Sequence, residues 1–176
     1  MLTLTVERLS QVLGGSPIEE LLRDAGVLVP IPGHTPRYAS ALWVAERIAH
    51  ALIAQGIGAD VQPLLVRTEV VPQSSSRRAA SERVDPPEHY RTLSVQRPLA
   101  VPERITLVDD VVTRGSTLIA AATRVAEAFP GIEVRAFALS RVESSLDLEG
   151  VEEMLSPACE VVRYNEVSGI LERRKS

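Results

Sequence analysis

Cysteine is almost absent from this chain of 176 residues, and Cys159 stands alone. A single thiol excludes an intrachain disulfide and a cysteine-based zinc cluster, and it fits a reducing compartment. Lysine is equally scarce: of 19 basic residues, only Lys175 is not arginine. Aromatic residues make up 3%, so the core has to be built from Leu, Val, Ile and Ala. No apolar stretch approaches the ~20 residues of a membrane span. The start, Met1 to Ser10, lacks the basic-then-apolar order of a secretory signal. A basic excess is missing too, and the net charge of -4 argues against a general nucleic-acid binder. The expectation is a cytoplasmic protein with no membrane partner and no general nucleic-acid partner.

What remains is an ordinary globular composition, 45% apolar and 24% charged, enough for one domain over residues 1–176. Ser16-Pro17-Ile18-Glu19 reads as a capped helix start, and Gly26 stops that helix. Val27 to Ile31 reads as a strand ending in Pro32-Gly33. Arg37 to Gln55 has helical spacing at Tyr38, Leu42, Ala45, Ala49 and Leu52, with Gly56 after it. Val61 to Val66 predicts a second strand, Ile105 to Val108 a third, Thr117 to Phe129 a helix and Ile132 to Leu139 a fourth strand. In the tail, Asp147 to Leu155 reads as a helix and Cys159 to Tyr164 as a last strand. Alternating strands and helices predict an α/β fold, a mostly parallel sheet flanked by helices. Ligands of such sheets sit at the carboxyl ends of the strands. Three loops leave those ends: Pro32–Pro36, Arg67–Thr92 and Asp110–Ser116. The middle one is polar, carries Arg77, Arg78, Arg83 and Arg91, and has a Pro86-Pro87 break. A structureless loop of that length is usually functional or disordered.

The densest chemistry lies in Ile105-Thr106-Leu107-Val108-Asp109-Asp110-Val111-Val112-Thr113-Arg114-Gly115-Ser116-Thr117. An apolar strand delivers two carboxylates, a short loop with one glycine follows, and hydroxyl residues open a helix. Free N–H groups at a helix start, with the helix dipole, attract an anion. Gly115 permits close backbone approach, and Thr113, Ser116 and Thr117 add hydroxyls. Carboxylates are wrong for phosphate but right for sugar hydroxyls or a divalent metal. One ligand with a phosphate at one end and a ribose diol at the other satisfies both halves. A G-x-x-x-x-G-K-[ST] loop is missing, and Gly56-Ile57-Gly58 follows a helix and lacks the third glycine of a dinucleotide fingerprint.

The stretch Leu107 to Thr117 resembles the binding motif for 5-phosphoribosyl-1-pyrophosphate (PRPP) in type I phosphoribosyltransferases. Val29-Pro30-Ile31-Pro32, then Arg67-Thr68, Gln73 and Arg77-Arg78, are similar to the ComF-like branch of that family, over roughly Val27 to Ser140. The resemblance implies a core over about residues 27–140 and a flexible hood over 67–92. It implies that the stretch Asp109, Asp110, Val111, Val112, Thr113, Arg114, Gly115, Ser116 and Thr117 binds PRPP. Within it, Thr113 to Thr117 would hold the 5-phosphate, and Asp109 and Asp110 the ribose hydroxyls. Pro32, Gly33 and His34 would face pyrophosphate, with Arg67 helping, and Arg77 and Arg78 would act from the hood. Mg2+ would travel with PRPP, reaching Asp109 and Asp110 through PRPP or water.

By the same resemblance Asp109, Asp110 and Arg67 would be catalytic. The acceptor is unidentified, with a nucleobase among the candidates, and a homodimer is left open. Two departures separate chemistry from binding. The cysteine-rich segment of many ComF-like proteins is missing, and Thr68 stands where several type I enzymes have lysine. A PRPP- or nucleotide-binding regulator is therefore the alternative to a transferase. Trp43 reads as a packing residue and His50 as a structural residue of the helix. His34 reads equally well as a loop surface residue, and His89 as an unassigned hood residue.

Overall fold

The computed structural model of the chain describes residues 17–36, 42–71, 85–142, 160–165 and 170–175. Its elements are α1 (Pro17–Arg23), β1 (Val27–Pro30), α2 (Val44–Ala54), β2 (Asp60–Val61), β3 (Leu65–Arg67) and α3 (Pro86–Arg91). They continue as β4 (Leu93–Val95), β5 (Arg104–Val112), α4 (Ser116–Ala128), β6 (Glu133–Arg141), β7 (Glu160–Asn165) and β8 (Ile170–Lys175). The central sheet runs β2-β1-β5-β6, and every pairing in it is parallel. Among the described residues no helix is long and apolar enough to cross a membrane.

A parallel strand covered on both faces reads as a continuous apolar run. All four residues of β1 are buried, and so are Ile105 to Val108 of β5. Alternation sends Val27, Val29, Ile31, Ile105 and Leu107 to one face, against Ala120, Ala121 and Val125 of α4. Leu28 and Val108 point the other way, onto Leu22 of α1 and Ile48, Ala49 and Leu52 of α2. Thr106 is the polar exception, and its Oγ1 donates to the Ala25 carbonyl at 2.6 Å, so nothing is left unpaired. Gly26 turns the chain into β1 at φ 65°, where any Cβ would collide with the Arg104 carbonyl.

Several expectations change. The helix predicted from Arg37 begins, within the described residues, only at Val44. Trp43 is extended at φ -109°, ψ 98°, and its indole Nε1 donates to the Ile31 carbonyl at 2.6 Å, a tertiary bond that overrides helical spacing. The strand predicted over Val61 to Val66 splits in two. Pro63 has no N–H for a ladder, so β2 stays in the central sheet while β3 pairs antiparallel with β4 in a sheet of its own.

The far end of the 67–92 segment is not a structureless loop, because α3 forms there and β4 follows directly. Pro86-Pro87 starts a helix rather than breaking one. Asp85 stands at the N-cap position and a proline suits the first turn, where its missing N–H costs nothing. Arg77 and Arg78 lie outside the described residues, as does the helix expected over Asp147 to Leu155. The last strand falls near its expected place, as β7, and pairs antiparallel with β8, which the sequence reading lacked.

Candidate functional site

The strand order creates the site. The chain leaves β1 through α2 to β2 on one side, and leaves β5 through α4 to β6 on the other. The carboxyl ends of β1 and β5 are thus a topological switch point, where the connecting segments part and a crevice opens. The bond from the Ile31 N–H to the Val108 carbonyl, at 2.8 Å, ends the contact of β1 with β5. Beyond it β5 continues against β6 alone, as far as Val112 opposite Arg141. Asp109 and Asp110 therefore sit inside the strand, not in the loop after it, just where one neighbour has gone. A cavity of about 540 Å³ fills the gap, walled by Pro32, Gly33, Trp43, Arg67 and the two acids.

Each carboxylate is anchored by the backbone. Oδ1 of Asp109 accepts the Asp110 N–H at 2.9 Å, and Oδ1 of Asp110 accepts the Val111 N–H at 2.9 Å. Burial pushes the Asp109 carboxyl up to about 7, the neighbouring Asp110 charge adds to the rise, and the Arg67 charge opposes it. The folded value lies above the ordinary 3.8, so the contribution of Asp109 to stability is fully present below 3.8 and is lost as pH rises through about 7. Asp109→Asn removes that loss. Its melting temperature is expected to exceed the wild-type value above pH 7, with the gap closing toward pH 3.8, as thermal unfolding across that window will read. A gap of constant size would put the effect elsewhere.

Arg67 faces Asp109 from β3 and is only 5% exposed. Its Nε donates to the Gly33 carbonyl at 3.1 Å, and one terminal nitrogen to Thr92 Oγ1 at 2.6 Å and to the His89 carbonyl at 3.4 Å. The guanidinium thus ties the loop after β1 to the end of α3. Burial lowers its pKa to about 10, with Asp109 pulling the other way, so it stays charged at neutral pH.

The turn from β5 into α4 has the features of an anion cradle. Gly115 takes the N-cap position at φ 86°, ψ 7°, in the left-handed region that favours glycine. The first intrahelical bond runs from the Ile119 N–H to the Gly115 carbonyl at 3.0 Å. The N–H groups of Ser116, Thr117 and Leu118 therefore have no partner inside the helix. No acid stands in that first turn to repel an anion. Arg114 leans toward Asp85 at 3.9 Å, a half-exposed pair that contributes little.

The structure brings Asp109, Asp110, Arg67, Pro32 and Gly33 around one cavity and starts the Thr113–Thr117 turn from the same strand. His34 is exposed, and its carbonyl accepts the Val71 N–H at 2.7 Å. His89 and Thr92 were missed as site residues. His89 is 5% exposed, lies on α3, and approaches Thr117 Oγ1 with Nε2 at 3.4 Å. The Asp85-Pro86-Pro87-Glu88 helix start was the available signal for that placement. In comparisons with known proteins, no family model matches this chain and no curated protein does.

Proposed function

We propose that the chain is a protein of the type I phosphoribosyltransferase class that binds PRPP with Mg2+ and transfers its phosphoribosyl group to a nitrogen acceptor. One observation carries this reading. The acid pair lines the cavity at the switch point, and the glycine turn follows it on the same strand–turn–helix unit, so a single ligand would meet carboxylates with its diol and N–H groups with its phosphate. Mg2+ would travel with PRPP and reach the two neighbouring carboxylates through ligand oxygens or water. The reaction breaks the bond from the anomeric carbon to pyrophosphate oxygen and forms one to nitrogen. Arg67 and the metal would neutralise the leaving group, and an ionised acid would favour the positive charge developing on the ribose.

Arg67 also favours the second reading, a ComF-like PRPP binder without transferase activity. Much of its guanidinium is committed to Gly33, His89 and Thr92, leaving fewer donors for pyrophosphate. Pyrophosphate release with PRPP, Mg2+ and a panel of nucleobases separates the two. Binding itself is tested by calorimetry on the variant Asp109→Asn plus Asp110→Asn. PRPP with Mg2+ is expected to bind at least about tenfold more weakly, since hydrogen bonds to charged groups contribute about 1.5–3 kcal/mol each. Inorganic phosphate should bind as before. Equal losses for both ligands would mean that the acids organise the turn and do not grip a diol.

A further inference from the structure

The anion cradle is supported from behind by a histidine that the reading above leaves idle. Its helix is docked firmly on α4. The Arg124 guanidinium lies 3.7 Å from the centroid of the Tyr90 ring, its Nε donates to the Tyr90 carbonyl at 2.9 Å, and the Tyr90 hydroxyl donates to Glu127 at 2.7 Å. These contacts hold the preceding residue, His89, against the first turn of α4. The His89 carbonyl is pinned as well, accepting from Thr92 Oγ1 at 3.1 Å and from Arg67. Its ring therefore has little freedom. Nε2 faces Thr117 Oγ1 at 3.4 Å, and Nδ1 is buried with no hydrogen-bond partner among the described residues.

Those two facts decide where the ring proton sits. A buried N–H without an acceptor is rarer and more costly than a buried lone pair without a donor. The proton therefore belongs on Nε2, which has Thr117, and the lone pair on Nδ1, which has nothing. Burial and the Arg67 charge hold the ring neutral, with a pKa lowered to about 4. A charged ring would also carry a proton on Nδ1, where no acceptor waits. A hydroxyl has one hydrogen and can accept while it donates. If Nε2 donates to Thr117 Oγ1, the hydroxyl hydrogen is left for another partner.

We propose that His89 is a positioning residue for the anion-binding turn: its Nε2–H donates to Thr117 Oγ1 and so directs the Thr117 hydroxyl hydrogen to the phosphate of the ligand. The inference rests on the phosphate-binding reading of Gly115 to Thr117. With the opposite tautomer the hydroxyl would give its hydrogen to the ring and present only lone pairs to an anion, a repulsive arrangement. His89 thus acts through Thr117 and touches no reacting atom.

The test uses the full chain. Long-range proton–nitrogen NMR at neutral pH should find His89 as the Nε2–H tautomer, and this readout needs no variant to fold. Calorimetry with ribose 5-phosphate should show about a tenfold loss for His89→Phe and for Thr117→Val, the effect of one charge-assisted hydrogen bond. His89→Gln, whose amide N–H reaches the place of Nε2, should stay close to wild type. The double variant His89→Phe plus Thr117→Val should bind no worse than Thr117→Val alone. A proton on Nδ1, a glutamine variant as weak as the phenylalanine one, or single losses that multiply in the double variant would each overturn the inference and leave the phosphate site standing. Failure of the wild type to bind ribose 5-phosphate would overturn both.

Discussion

Gly115→Val is expected to abolish phosphate binding while the helices and the sheet persist. Gly115 sits at φ 86°, where a β-branched residue is a genuine outlier. Holding Val there costs about 1–3 kcal/mol of backbone strain. The turn can escape the strain only by rotating its peptide groups. That rotation carries the Ser116 and Thr117 N–H groups off the anion they would share. Losing two such bonds, at about 1.5–3 kcal/mol each, lowers affinity by roughly a hundredfold or more. Gly115→Ala should fall between, because a left-handed alanine costs only about 1–2 kcal/mol. Calorimetry with ribose 5-phosphate, set beside circular dichroism and thermal unfolding, reads both effects. Unchanged affinity in a folded Val variant would remove the anion from this turn, and the proposed function with it.

What the sequence made legible here was local. The run Ile105 to Val108, the acids after it and the glycine before a hydroxyl-rich helix start are neighbours along the chain. Each follows from strand, turn or cap chemistry over a few residues. The α/β class was legible for a related reason: buried parallel strands are apolar throughout, and amphipathic helices alternate with them. What escaped depends on partners distant in sequence. Trp43 leaves its helix to reach the carbonyl of Ile31. The acids stay in the strand because β6 extends beside them to Arg141. Leu93 to Val95 is too short to announce itself and is a strand only because Leu65 to Arg67 pairs with it. His89 gains its place from remote contacts, of its own with the Arg67 side chain and Thr117 and of Tyr90 with Arg124 and Glu127. Two misses have a local explanation: a proline pair after aspartate reads as a helix start as readily as a break, and Pro63 offers no N–H to a ladder.

Arg67→Met carries the second large effect, on stability rather than on the cradle. Methionine keeps the apolar stem but removes the charge and the donors. The Gly33 and His89 carbonyls and Thr92 Oγ1 lose a donor in a buried setting, and Asp109 loses the charge that faces it. Leaving a buried acceptor without its donor costs about 1–3 kcal/mol. Arg67→Lys should recover only part of this, because one ammonium cannot copy a fork that reaches Gly33 and Thr92 together. The loss should also depend on pH. Arg67 holds the Asp109 pKa down, so without it that value rises above about 7. Well above pH 7, wild-type Asp109 is ionised with the Arg67 charge to oppose its burial, while in the variant it is ionised without that charge, or protonated at a cost. Urea unfolding at about pH 5.5, where Asp109 is protonated in both proteins, should give the hydrogen-bond part of the loss, and at about pH 8.5 a larger value. A loss of the same size at both pH values would make the guanidinium a strut between Gly33, His89 and Thr92 alone. Asp109 would then be ionised without its help, and Arg67 would drop out of the proposed chemistry while remaining part of the fold.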